Sequence, residues 1–159
     1  NYRIARRSAH NNDANLTAAI SSMLVEPGKY RTSEDESFRL LTLNHALLSY
    51  ISALGAHRTR IDDEATHKLV LDAHRVIHEH LDALNDQLYS HQEQCEVKNA
   101  YDPQLDKRLS EWREEDESSV KMVLQQLHLI YRMLPEFHTL ATKFAVKVNI
   151  DKPFETEAS

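Results

Sequence analysis

The sequence predicts an all-α protein, an antiparallel up-down-up-down four-helix bundle whose long last helix is kinked by a proline. Three observations predict it. Glycine and proline are scarce, two and four in 159 residues, whereas sheets and barrels need turn residues every several positions. Apolar residues recur at alternating steps of three and four over long stretches, which is the helical period. The links between those stretches are short, and short links join antiparallel neighbours. The length suits one domain with a real core and is too small for two comfortable ones. Residues 1–150 therefore read as a single helical domain and 151–159 as a flexible tail.

The first helix is expected from about Tyr2 to Glu26. Tyr2, Ala5, Ala9, Asn12, Leu16, Ala19 and Met23 form a narrow stripe that Ile20 and Leu24 widen. Pro27-Gly28 ends it, since proline disfavours helix at the residue before it and glycine allows the reversal. The second helix is expected from about Glu34 to Ala56. Ser33-Glu34-Asp35-Glu36 has the pattern of a capping box, in which the serine oxygen accepts the third amide and the glutamate reaches back. Leu40, Leu43, Leu47, Tyr50 and Leu54 make its stripe, with Leu41, Leu48 and Ile51 beside it. As the most apolar helix, it is expected to be the most buried.

Asp62 is the expected cap of the third helix, which continues to about Gln94. Val70, Ala73, Ile77, His80, Leu84 and Leu88 form its stripe. The pattern then breaks at "CEVKNAYD", and Asp102-Pro103 starts the next helix with a cap followed by proline at its first position. That last helix is read as one long element. Val120, Val123, Leu127, Ile130, Leu134, Phe137, Ala141, Phe144 and Val148 keep one frame, with Leu109 and Trp112 on the same frame upstream. "REEDESS" between them is almost wholly polar and is expected to project beyond the core. Pro135 removes one backbone hydrogen bond, but the stripe resumes at once, so a kink is expected and not an end. "NIDKPFETEAS" has no periodicity and reads as a frayed tail.

Composition narrows the function. The net charge of -6 argues against a nucleic-acid partner, which calls for a basic face. Cys95 is the only cysteine, so neither an internal disulfide nor a thiolate-rich metal site can form. No apolar run approaches the roughly 20 residues of a membrane span, and the start does not read as a signal peptide. This stretch is expected to be soluble.

Ten histidines invite a metal reading. His74 and His78 are four apart, which puts two imidazoles on one helix face, and His67 lies about two turns before His74 on that face. Glu64-Ala65-Thr66-His67 matches the Glu-x-x-His of di-iron bundles, but no second copy exists. The His67, His74 and His78 face lies roughly 100° from the centre of the apolar arc. A solvated face is therefore expected, with no metal and no cofactor, although these three remain the candidate ligands. His45 and His80 lie on or beside apolar stripes and read as core or boundary histidines. There is no glycine-rich phosphate loop, no nucleophile elbow and no obvious base near Cys95, so no catalytic residue and no enzyme is expected. The competing reading is a stand-alone four-helix binding or signalling module of phosphotransfer or metal type, for which His74-Arg75 and His57-Arg58 are weak signals. Arg3, Arg6 and Arg7 are more directional. They give an acidic chain a local positive charge, as a segment flanking a membrane span would.

"YRIARRSAHNNDANLTAAISSMLVEPGKYR" and "FRLLTLNHALLSYISALGAHR" resemble the C-terminal cytoplasmic region of YccS/YhfK-type bacterial inner-membrane proteins. These belong to the fusaric acid resistance (FUSC) and aromatic acid exporter superfamily. The resemblance is strong over Tyr2 to Arg58 and weaker beyond. It implies a full protein with two sets of transmembrane helices and helical portions on the cytoplasmic side of the inner membrane. Asn1 would then follow the last span closely, which would account for a helix that begins without a cap, and Arg3, Arg6 and Arg7 would be membrane-proximal. Related proteins are proton-driven efflux pumps for aromatic acids and similar compounds. The implied partners are the rest of the same membrane protein, the inner-membrane surface and a second copy in a homo-oligomer. The resemblance carries no catalytic residues across.

Overall fold

The computed structural model describes residues 2–25, 34–56, 60–89, 101–113 and 117–150. Five helices run in order: α1 (Tyr2–Val25), α2 (Glu34–Ala56), α3 (Glu64–Tyr89), α4 (Pro103–Ser110) and α5 (Ser118–Ile150). Among the described residues there is no strand, so the all-α class holds. The Pro27-Gly28 stop, the Ser33 cap, Cys95, the end of the third helix near Gln94 and the tail 151–159 lie outside the described residues.

The expected long last helix is two helices. α4 closes at Ser110, and Glu111 has extended backbone (φ -91, ψ 97) while its N–H still bonds the Lys107 carbonyl. The physical reason is the polar composition of 113–119. A helix gains most of its stability by burying an apolar face, and this sequence offers none. Trp112, assigned to the stripe from the sequence, is 41% exposed, whereas Leu109 is fully buried at the end of α4. Pro135 behaves as expected in that α5 runs through it. It sits on an exposed position of that helix.

The caps follow local chemistry, with one shift. Asp63, not Asp62, caps α3: its Oδ2 accepts the Thr66 amide at 2.8 Å and the Thr66 hydroxyl at 2.5 Å. Those two bonds hold its carboxyl below the ordinary range. Asp62 falls one residue too early and pairs with Arg60 at 2.8 Å. Asp102 caps α4 as expected, with extended backbone, its Oδ1 accepting the Gln104 amide at 2.8 Å and proline next in line.

The core is built around α5, which packs against α2, α3 and α4. Its Ile130, Tyr131 and Leu134 are among the most deeply buried side chains. α3 adds Leu69, Ala73, Ile77 and Leu84, α4 adds Leu105 and Leu109, and α2 adds Leu43 and Leu47. The expectation that the second helix is the most buried is therefore wrong. A helix touched from three sides buries more of its circumference than one shared between two neighbours. α2 lies between α5 and α1, and its Ile51 stays exposed.

α1 departs furthest from expectation. Its packing partner is α2, and its stripe is rotated. Ala5 and Asn12 are exposed, Ala9 and Leu16 are only partly covered, and the position that turns fully inward is Asp13, at 9% exposure. Ile4 is 73% exposed. The polar bonds of Asp13 to α2 override the stripe in this half of the helix, where Ala5 and Ala9 offer little area to bury.

Candidate functional site

Residues 6, 10 and 13 share one face of α1 because they are spaced four and three apart, and 45, 48, 49 and 52 share one face of α2 for the same reason. Where these faces meet, the structure holds a cleft of about 370 Å³ lined by Arg6, His10, Asp13, His45, Leu48, Ser49 and Ser52. Asp13 anchors it. Its Oδ1 accepts the Asn44 amide at 2.5 Å, and its Oδ2 lies 2.7 Å from His45 Nδ1. The Thr17 hydroxyl donates to the Asp13 carbonyl at 2.8 Å. Of the two alternatives the sequence left for His45, core or boundary, the structure shows the boundary one. It is half exposed and held by a carboxylate. Arg3 and Arg7 are exposed beside the cleft, and Arg3, Arg6 and Arg7 make no ion pair among the described residues.

A second constellation is internal. His80, 4% exposed, meets His138 across α3 and α5, with Nδ1 of the first 3.2 Å from Nε2 of the second and the rings edge to face at 5.2 Å. The other His138 nitrogen, Nδ1, is buried with no hydrogen-bond partner. Burial pushes both imidazoles below the ordinary histidine range; Glu79 opposes this at His80, and His80 adds to it at His138. The sequence placed His80 on an apolar stripe, but nothing in it pointed to His138.

A third group fixes α4 to α5. Tyr101 stacks on Tyr131 at 5.4 Å. The Asp102 amide donates to the Tyr131 hydroxyl at 2.7 Å, and His128 Nε2 lies 2.8 Å from Asp106 Oδ1. Burial alone would raise the Asp106 carboxyl, but bonds from Tyr101 and His128 outweigh it and leave it below the ordinary range. The visible work of these contacts is to clamp a short helix.

His67, His74 and His78 are exposed on α3. The His74 and His78 rings are 6.1 Å apart, and His78 Nδ1 is 2.9 Å from Asp82. Among the described residues, no three or more of His, Cys, Asp and Glu are grouped so as to hold a metal ion. Nor is any described helix long and apolar enough to cross a membrane.

Comparison with known proteins adds what the geometry does not supply. The chain is 36% identical to the inner membrane protein YccS of Escherichia coli over 139 residues, 87% of this chain and 18% of that protein. It is 36% identical to an uncharacterised protein of Haemophilus influenzae over 144 residues, 86% of this chain and 20% of that one. The chain thus spans about a fifth of the length of the curated relatives it matches. The similarity to a YccS-type protein read from the first two helices holds, and it extends across most of the chain. No family model matches, and no solved structure matches either.

Proposed function

This chain is related to the YccS-type inner-membrane proteins, and from that relation we propose that it forms a non-enzymatic domain on the cytoplasmic face of a bacterial inner-membrane efflux transporter. The carrying observation is the 36% identity over 87% of the chain to a protein of the inner membrane. In this reading the spans belong to the rest of the protein, and the domain serves assembly, regulation or partner contact. The partners are the remainder of the same protein, a second copy and the membrane surface.

The charge distribution supports that placement. Arg3, Arg6 and Arg7 lie in the first two turns of α1 without an ion pair among the described residues. Each basic residue near an anionic leaflet contributes on the order of 1 kcal/mol. The net charge of -6 opposes membrane binding by the rest of the domain, so α1 would be the end that faces the bilayer. The finer architecture belongs to the same proposal: α2 runs antiparallel to α5, since Glu36 pairs with Lys143 and Arg39 with Glu136, and α4 supplies an extra reversal of the chain, whereas the second and fourth helices of a simple up-down-up-down bundle would run parallel.

Two measurements test the reading. A reporter that fluoresces only in the cytoplasm, fused after α5 in the membrane-inserted protein, should be bright; a dark reporter that becomes active when scored on the other side would overturn it. Replacing Arg3, Arg6 and Arg7 with Glu should lower the yield of membrane-inserted protein while the soluble chain keeps its helical content. An unaffected yield would make the arginines bystanders.

A further inference from the structure

We propose that the cleft between α1 and α2 is a binding site for a phosphate-type oxyanion, held by Arg6, His10, His45, Ser49 and Ser52. The site goes beyond the membrane reading, because it rests on the geometry of two helices and requires no bilayer.

The donors converge on one space. Arg6 brings a planar fork of N–H groups suited to paired oxygens. Ser49 and Ser52, three apart on α2, bring two hydroxyls from the opposite wall, and His10 and His45 bring an imidazole from each helix. Leu48 is the one apolar lining residue, which suits a small polar ligand and disfavours a hydrophobic one. The volume of about 370 Å³ lies at the small end of the range for ligand sites.

Arg6 and His10 face the cleft with no ion pair among the described residues, whereas Arg39, Arg75 and Arg108 are each met by a carboxylate. The single carboxylate in the cleft does not fill this role. Asp13 is buried, and its two oxygens are already taken by Asn44 and by His45 Nδ1. That bond also commits Nδ1 of His45, so Nε2 is the nitrogen left for a ligand. Asp13 is therefore the element that sets the imidazole, and Arg6 supplies the charge that a ligand would answer. Tetrahedral oxygens match donors arriving from two walls better than the planar oxygens of a single carboxylate do.

Phosphate of this kind reaches the site from a lipid headgroup or from a free phosphorylated molecule, and one experiment separates them. Inorganic phosphate is titrated into the isotope-labelled chain at constant ionic strength and followed by amide chemical shifts. In parallel, the chain is sedimented with vesicles of phosphatidylglycerol or of phosphatidylcholine. The expected result is saturable shifts centred on Arg6, His10, His45, Ser49 and Ser52, weakened about tenfold or more by Arg6→Ala and several-fold by Ser49→Ala, with helical content unchanged. Phosphate saturation without vesicle binding assigns the site to a free anion. Phosphate saturation together with phosphatidylglycerol binding lost in Arg6→Ala assigns it to a headgroup. Absence of saturable shifts, or saturation that neither substitution weakens, would overturn the proposal.

Discussion

At the scale of single residues, the buried pair His80 and His138 makes the strongest physical statement. Both imidazoles are held neutral by burial, below the ordinary value of 6.5. Below that value the unfolded chain binds protons that the folded chain refuses. Stability therefore rises with pH in that window: the cost is absent above about 6.5 and grows as pH falls toward the lowered folded-state values. Urea unfolding between pH 7 and pH 5 should show this loss, and a His80→Leu/His138→Leu double variant should flatten it. The carboxylates Asp63, Asp106 and Glu136 are shifted down instead. Their contribution is present above ordinary carboxylate values and is lost only at more acid pH, so the two effects separate. The exposed His67, His74 and His78 carry a different expectation: a chelator should leave the melting temperature unmoved, since a site bound only in the folded state would stabilise it. The sequence could place His80 on its stripe because periodicity is local. It could not pair that residue with His138, 58 positions away, because the pairing depends on how α3 and α5 are set against each other. Asp13 escaped notice for a related reason, since a charged residue beside an alanine stripe reads as solvent-facing until its partners Asn44 and His45 are known.

At the scale of elements, burial ranks α5 above α2, and the ranking is measurable. Leu134, fully buried at the centre of α5, should cost about 2–5 kcal/mol on change to alanine, the range for core leucines. Leu47 on α2 is also in the core and should fall in the same range toward its lower end, because its helix is less enclosed. A Leu134→Ala loss smaller than that of Leu47→Ala would contradict the central place given to α5. For the short helix, Asp102→Ala removes the cap and should cost about 0.5–2 kcal/mol, read by denaturant unfolding. The bounds of α2 match those expected from its apolar period, and the cap of α4 was legible because an aspartate followed by proline acts on its immediate neighbours. The break between α4 and α5 was not, because the same apolar frame continues on both sides of Glu111–Glu117, and only the polar composition of that stretch separates them. The facing side of α1 was misread over residues 5–13, where the stripe is alanine and asparagine and no large apolar residue fixes it.

At the scale of the whole molecule, the functional reading came from similarity along the chain, and the cleft came from geometry. Neither was visible in a motif, since the residues that line the cleft are common types whose meaning depends on two helices meeting. The attachment of α1 has its own consequence. Among its described side chains, this helix meets α2 through the bonds of Asp13 to Asn44 and His45, and its early turns are exposed. Amide hydrogen exchange should therefore divide the protein into two cooperative units. The α1 amides should exchange by an opening that leaves the others protected, and the α5 amides around Ile130 and Leu134 should exchange only on global unfolding. Adding Asp13→Ala should speed exchange in α1 alone. Uniform acceleration throughout would show that α1 opens with the core. If the units are separate, a force or ligand acting on α1 can shift it without spending the stability of the rest.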